Sequence, residues 1–346
     1  MKRLFPEVRA GSLSVPTKPP MPTDILAHGL TKTFRTGVVA VNGFDLRVER
    51  GTVYGLIGRN GAGKTTALKI LMGLLRPDRG EAKVLGRPLW EADPAHRQKV
   101  AYVSQSQQVP EWMSLGELGR YASHFYSAWR PELLQEQARR WELPLHLPIS
   151  KLSGGNQRLA ALAVALATRP EVLLLDEPAA GLDPVARREL NVCLVDALLR
   201  DEGCTILLST HLLGDLERLA IHVGIMDRGR ILAEGSVEDW QRTMRRVQVV
   251  FDGEAPPADF AIPGAIRSQV LGPVVTALTR VDDDAQLDGV RQLRGARVHV
   301  FPLTLEELFV DWFGGPAAAP ESGEEISGQP GRSVPQPPNQ RVGNGG

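Results

Sequence analysis

Cysteine is almost missing from this chain: 346 residues contain two, Cys193 and Cys204. One lies in an apolar helix-like run and the other at the start of an apolar strand-like run. No histidine or second cysteine stands at ligand spacing, which argues against a zinc site or a disulfide framework and for two buried thiols in a reducing cytosol. Long apolar runs are missing too. None approaches the roughly 20 residues of a bilayer crossing. The opening "MKRLFPEVRAGSLSVPTKPPMPTD" has no apolar centre between its charges and prolines, so no signal peptide is expected there. There is also no excess charge of one sign. Forty acidic and forty basic residues cancel, and the arginine pairs Arg139/Arg140, Arg187/Arg188 and Arg245/Arg246 are scattered. Without a basic field, no nucleic-acid partner is expected.

What is present is a change of texture along the chain. Residues 1–23 and 314–346 are rich in Pro, Gly and Ser and poor in large apolar residues, the composition of disordered ends. Residues 24–237 read as an α/β domain. From about Leu30 the apolar runs "VYGLIG", "VAYVSQ", "VLLLDEP" and "TILLSTH" alternate with helical stretches, the pattern of a mostly parallel sheet covered by helices, with its chemistry at the strand C-termini. An aromatic segment without strand-like runs, about 107–165, reads as an inserted helical subdomain. Residues 238–313 read as a small α+β appendix: "VQVVF", "VVTALTRV" and "ARVHVF" are strand-like, "AQLDGVRQL" and "LEELFVDWF" helix-like. Leu305, Leu308, Phe309 and Trp312 share one face of the last helix, expected to pack within the appendix or against a dimer mate. A chain ending near residue 237 is then expected to keep some activity of the preceding domain.

The strongest motif is "GLIGRNGAGKTT", in which G-x-x-x-x-G-K-T runs from Gly58 to Thr65 between a strand and a helix. Gly58, Gly61 and Gly63 let backbone N–H groups curl around an anion, Lys64 can neutralise β- and γ-phosphates, and the Thr65 hydroxyl can ligate magnesium. "EVLLLDEP" ends a buried-type strand in two carboxylates. Alone, such a pair is more often a solvated turn. Beside a phosphate loop, Asp176 suits a magnesium shell and Glu177 can polarise the water that attacks a γ-phosphate. His211 of "LSTH" can donate to a γ-phosphate oxygen, and Gln105 of "YVSQ" can touch both magnesium and that water. A second anion-binding helix start, "SKLSGGNQRL", places Ser153, Gly154 and Gly155 before a helical run but has no lysine. As the phosphate loop already holds the chain's own nucleotide, this grip is most useful on a γ-phosphate bound by another copy; a plain helix cap is the alternative.

The ordered set of the phosphate loop, Gln105, "LSGGN", "LLLLDEP", "AAGLDP" and "STH" resembles the nucleotide-binding subunit of an ATP-binding cassette (ABC) transporter, over about residues 26–236. The helical insert and the closing "PLTLEELFVDWF" resemble bacterial ABC-2-type exporter ATPases. The resemblance implies a P-loop NTPase fold with ATP and Mg2+ as cofactors. It implies nucleotide contacts from Phe34, stacking on adenine, and from Gly58, Asn60, Gly61, Ala62, Gly63, Lys64, Thr65, Thr66, Gln105, Asp176 and His211. Ser153, Gly154, Gly155 and Asp183 would act in trans. Metal contacts would come from Thr65, Gln105 and Asp176, catalysis from Glu177, His211, Gln105 and Lys64. Its members close head to tail around two ATP molecules, as homodimers or heterodimers, and drive a separately encoded integral membrane permease from the cytoplasmic face of the membrane.

Three departures stand out: Asn156 where glutamine is usual, Leu159 and Val164 where arginines are common, and His222 where aspartate is usual. Two other readings compete. A soluble ABC-type ATPase acting on DNA or ribosomes is disfavoured by the single cassette and the lack of a basic run. A regulatory module that binds ATP without turnover is disfavoured by the intact Lys64, Asp176, Glu177 and His211.

Overall fold

The computed structural model describes residues 22–313, apart from 106–108, 200–202, 212–213, 215–218, 254, 258–259 and 294. Nearly all of the leader and all of the tail read above as disordered lie outside the described residues.

The centre is a six-stranded sheet. Its strands are β3 (Val53–Ile57), β5 (Val100–Val103), β6 (Val172–Asp176), β7 (Thr205–Thr210), β8 (His222–Asp227) and β9 (Arg230–Ser236), in the order β5-β6-β7-β3-β8-β9. All neighbours are parallel except β9, which returns antiparallel to β8. Every residue of β3, β6 and β7 is buried, because helices or a second sheet cover both faces. That is why these strands are continuous aliphatic runs rather than alternating ones. The register sets Asp176 beside Ser209 and Ile57 beside Thr210. Three strand ends, the first more than a hundred residues of chain from the other two, therefore meet at one sheet edge.

One sheet was not separated in the sequence. β1 (Thr23–Thr33), β2 (Val39–Glu49) and β4 (Arg79–Val84) form a three-stranded antiparallel sheet, order β2-β1-β4, beside the mostly parallel sheet expected from the sequence. Its side chains alternate buried and exposed over much of β2, as one solvated face requires. Helix α1 (Lys64–Leu71) lies in its core: Ala67, Leu68, Ile70 and Leu71 share a buried cluster with Ile25, Leu30, Phe44 and Leu46. A four-residue helix, α2 (Pro94–Arg97), precedes β5.

The expected insert is helical among its described residues: α3 (Leu115–Ser123), α4 (Pro131–Arg140) and α5 (Gly154–Ala167). Ser114 and Glu117 form a reciprocal capping box that starts α3. Leu159 is buried and Val164 packs against the same cluster as Leu134, Ala138 and Leu162, so the two positions that depart from arginine serve the core of the subdomain. Both cysteines are buried. The Cys193 thiol, on α6 (Pro184–Leu198), donates to Gln137 Oε1 of α4 at 2.9 Å and accepts from Arg140 at 2.9 Å. Burial raises its pKa, partly offset by the Arg140 charge, so it is a packing thiol rather than a nucleophile.

After β9, α7 (Val237–Thr243) starts at the Ser236 cap and leads into β10 (Met244–Phe251). The appendix has four strands where three were expected. β11 (Ala265–Leu271), β12 (Val274–Arg280) and β13 (Ala296–Pro302) join β10 in an antiparallel sheet, order β11-β12-β10-β13. β11 escaped notice because it is an almost wholly exposed edge strand with no apolar alternation. Only four residues of "AQLDGVRQL", Asp288–Arg291, form an α-helix, α8.

The last helix, α9 (Leu305–Phe313), packs on β12 as expected, but it also packs on α7, with Trp240 and Trp312 stacked at 6.3 Å between ring centroids. Leu303, Leu305 and Leu308 belong to the same buried cluster as Leu219, Val223 and Val237 of the ATPase core. A cut near 237 would open that shared core. The expected activity of such a truncation is accordingly revised: loss of α9 should destabilise the preceding domain. Leu308→Ala is expected to cost about 2–5 kcal/mol, as for other buried leucines, and to lower the denaturant midpoint of the whole chain. A midpoint that moves only for the appendix would place the seam differently.

Candidate nucleotide site

The phosphate loop links β3 to α1. Gly63, the N-cap of α1, has φ 104°, and a Cβ there would meet the Ala40 carbonyl; at Gly58 it would meet the Met226 carbonyl. Only glycine lets this backbone turn its amides inward at these points. Val38, Val39, Ala40, residues 59–66, Gln105 and Glu177 line one open cavity of about 400 Å³. Asn60, Gly61, Ala62, Gly63, Lys64, Thr65, Thr66 and Gln105 are thus brought together. Phe34 is not part of the lining. It is half-exposed at the turn leading to Val38, where its N–H donates to the Val38 carbonyl at 2.9 Å.

Lys64 is buried, and its ammonium donates to the Gly58 carbonyl at 2.6 Å and lies 3.4 Å from Glu177 Oε1. The other carboxylate oxygen of Glu177 is 2.7 Å from His211 Nδ1. Glu177 has φ 51°, unusual for a residue with a Cβ and a form of strain concentrated at functional sites. Its N–H donates both to the Ser209 carbonyl and to Ser209 Oγ, each at 3.1 Å. The glutamate is therefore clamped at both ends, by backbone on one side and by Lys64 and His211 on the other.

Asp176, at the end of β6, is 1% exposed. Its Oδ1 accepts from Thr65 Oγ1 at 3.1 Å and from Ser209 Oγ at 2.6 Å, whereas its buried Oδ2 has no hydrogen-bond partner. Tyr102 stands beside it, its hydroxyl pKa raised first by burial, then by the Asp176 charge and by the reach of that carboxylate for its proton, though the two make no hydrogen bond of normal geometry. An unpartnered buried carboxylate oxygen is costly in a low-dielectric interior. Next to a threonine hydroxyl and a phosphate loop, it fits a hard divalent cation that takes most of its ligands from phosphate and water. Among the described residues no group of three or more His, Cys, Asp or Glu gathers to cage a metal.

The second anion grip stays away from this cavity. Ser153 caps α5 by accepting from the Asn156 N–H at 3.2 Å, and Asp183 caps α6 by accepting from Val185 and Ala186. Gly154 faces open space, and Gly155 lies against Leu182 and the Gly181 carbonyl. None of Ser153, Gly154, Gly155 or Asp183 lines the phosphate cavity. His222, the third departure, sits on β8 opposite Ser236, near Glu234, whose pKa is raised by burial. It takes no part in the site. Ser209 was missed altogether, although a serine and a threonine closing an aliphatic strand were the available signal.

Removing the Lys64 ammonium should leave the phosphates without charge compensation inside this cavity. Lys64→Ala is expected to lose ATP binding and hydrolysis together, and near-parental ATP affinity by titration calorimetry would contradict that.

A mostly parallel sheet in which β3 feeds a glycine-rich loop into a helix, and β6, one strand removed, ends in buried carboxylates, defines a P-loop NTPase. Comparison with known proteins narrows this. A family model described as ABC transporter matches residues 41–180. The chain is 34% identical over 283 residues to the Nod factor export ATP-binding protein I of Burkholderia thailandensis, covering 79% of this chain and 91% of that protein. It is 37% identical over 209 residues to the daunorubicin resistance ATP-binding protein DrrA3 of Streptomyces coeruleorubidus, covering 58% and 64%. A solved structure of an ATP-binding subunit of an ABC transporter superposes with a TM-score of 0.58 at 29% identity, covering 63% of this chain and 92% of that one. The chain belongs to the ABC transporter ATP-binding proteins; it binds ATP and is an ATPase. Among the described residues no helix is long and apolar enough to cross a membrane.

Proposed function

We propose that this chain is the ATP-hydrolysing subunit of an exporter, that it binds ATP with magnesium between two copies arranged head to tail, and that it drives a separate membrane subunit from the cytoplasmic side. The observation that carries the reading is the division of the site. Lys64, Thr65 and Glu177 line one cavity, with Asp176 bonded to Thr65 and His211 to Glu177, while Ser153, Gly154 and Gly155 are absent from its lining. One chain then supplies the phosphate loop and the base, and a second, of the same or a related kind, supplies Ser153, Gly154, Gly155 and Asp183.

In this reading the amides of residues 59–65 and Lys64 hold the β- and γ-phosphates. Thr65, Asp176 and Gln105 hold magnesium, which when bound offsets the phosphate charge. For the γ-phosphate to take Lys64, the Lys64–Glu177 pair must loosen, freeing one Glu177 oxygen to accept a proton from the attacking water. His211 keeps the other oxygen and can turn its ring towards a γ-phosphate oxygen. Phe34, at the rim, is the proposed adenine platform. The export character rests on the relatives, one named for Nod factor export and one for daunorubicin resistance; the cargo is set by the membrane subunit.

Purification of a tagged chain from membranes of its own host tests the reading. A multi-spanning membrane protein should come with it in fixed proportion, and the complex should hydrolyse ATP. Recovery with ribosomes or nucleic acid, and never with membranes, would favour the soluble ATPase instead.

A further inference from the structure

The proposed chemistry needs Asp176 and Glu177 in fixed orientations, and a single buried hydroxyl touches both. Ser209 is 0% exposed. Its Oγ donates to Asp176 Oδ1 at 2.6 Å and accepts from the Glu177 N–H at 3.1 Å. On one side this bond, with that from Thr65, saturates Oδ1 and leaves Oδ2 as the unpartnered oxygen. On the other it helps hold the backbone of Glu177 at φ 51°, a conformation that costs of order 1–3 kcal/mol unless the surroundings enforce it. We infer that Ser209 is a positioning residue: it aims the free oxygen of Asp176 at the magnesium site and holds the catalytic glutamate in its left-handed turn. It acts through these two residues and does not itself touch the nucleotide.

The register explains why this position can do so. Ser209 pairs with Asp176 across β6–β7 and with Leu56 across β3–β7, one residue before β3 ends and the phosphate loop begins. An aliphatic side chain here would fill the same buried space, but it would leave Oδ1 with one donor fewer and free the carboxylate to turn. Partners that orient metal ligands in this way typically change metal affinity by about 10–100-fold when removed.

The inference rests on the assignment of Asp176 to magnesium, and the experiment separates the two. ATP affinity is measured by titration calorimetry in EDTA and again with saturating magnesium, for the parent, Asp176→Ala, Ser209→Ala and Ser209→Thr, with melting curves for each. The parent should bind ATP more tightly with magnesium than without. Ser209→Ala should lose about tenfold of that gain while keeping the EDTA affinity, and its turnover with saturating Mg-ATP should also fall about tenfold. Ser209→Thr, which retains the hydroxyl, should keep both. If the parent shows no gain with magnesium, or Asp176→Ala gains as much as the parent, the metal assignment fails. If the parent responds and Ser209→Ala responds equally, only the role of Ser209 is overturned. Equal impairment of the alanine and threonine variants, or an alanine variant that does not fold, would make Ser209 a packing residue and overturn it as well.

Discussion

Glu177→Gln is expected to lower ATP turnover at least about a hundredfold, the scale for loss of a general base, without weakening ATP binding. The glutamine amide keeps the size and most of the hydrogen-bonding reach of the glutamate, so the clamp by Ser209 and His211 survives in outline. It cannot accept the proton of the attacking water. It also removes the carboxylate that lies 3.4 Å from Lys64, leaving that cation freer for phosphate. If hydrolysis is what separates two closed copies, the variant should accumulate as an ATP-bound dimer in size-exclusion chromatography with light scattering. Turnover at the parental rate would remove Glu177 from the chemistry. Lys64→Ala is the counterpart, because it should abolish binding as well as turnover and so separates grip from chemistry.

Ser153→Arg should also abolish hydrolysis, but for a different reason. Ser153 does not line the cavity around Lys64, so an arginine there should leave each chain's own phosphate loop intact and ATP still bound. Its bulk and charge should block the approach of a second copy to the helix start that it caps. Mixing Ser153→Arg chains with Lys64→Ala chains tests this directly. In a mixed dimer one composite site carries both lesions, and the other joins an intact loop to an intact Ser153. Two inactive proteins should then regain part of the activity, given a homodimer in which one site can turn over. If Ser153 were a cap and nothing more, its variant would misfold or hydrolyse ATP nearly as well as the parent. A folded Ser153→Arg protein that dimerises with ATP and turns over normally would exclude action in trans.

The sequence by itself determined the class of protein and the line-up of its chemistry. The loop from Gly58 to Thr65 is legible because its geometry needs glycine at defined spacings and a lysine at its end, whatever the rest of the chain does. The aliphatic runs before Asp176 and Ser209 are legible because strands buried on both faces tolerate little else. β1, β2 and β4 were not recognised as a sheet of their own, because strand texture does not say which partner a strand will take. β11 was invisible, because an exposed edge strand is under no demand for apolar residues.

Only the tertiary structure decided the rest. It decided that β6 and β7 lie side by side in the register that sets Ser209 against Asp176, and that Glu177 takes a left-handed backbone which no sequence rule assigns to glutamate. It placed Lys64 within reach of Glu177, left Asp176 Oδ2 without a donor, and kept Ser153 and Asp183 out of the cavity. It also joined α9 to the ATPase core through the cluster that Leu303, Leu305 and Leu308 share with Leu219 and Val223, where the texture of the chain suggested an appendix whose loss would spare some activity. The physical reason is common to all of these. Local spacing fixes what a backbone segment can do, whereas strand pairing, burial and the distance between charges arise from segments far apart in the chain and exist only once it has folded.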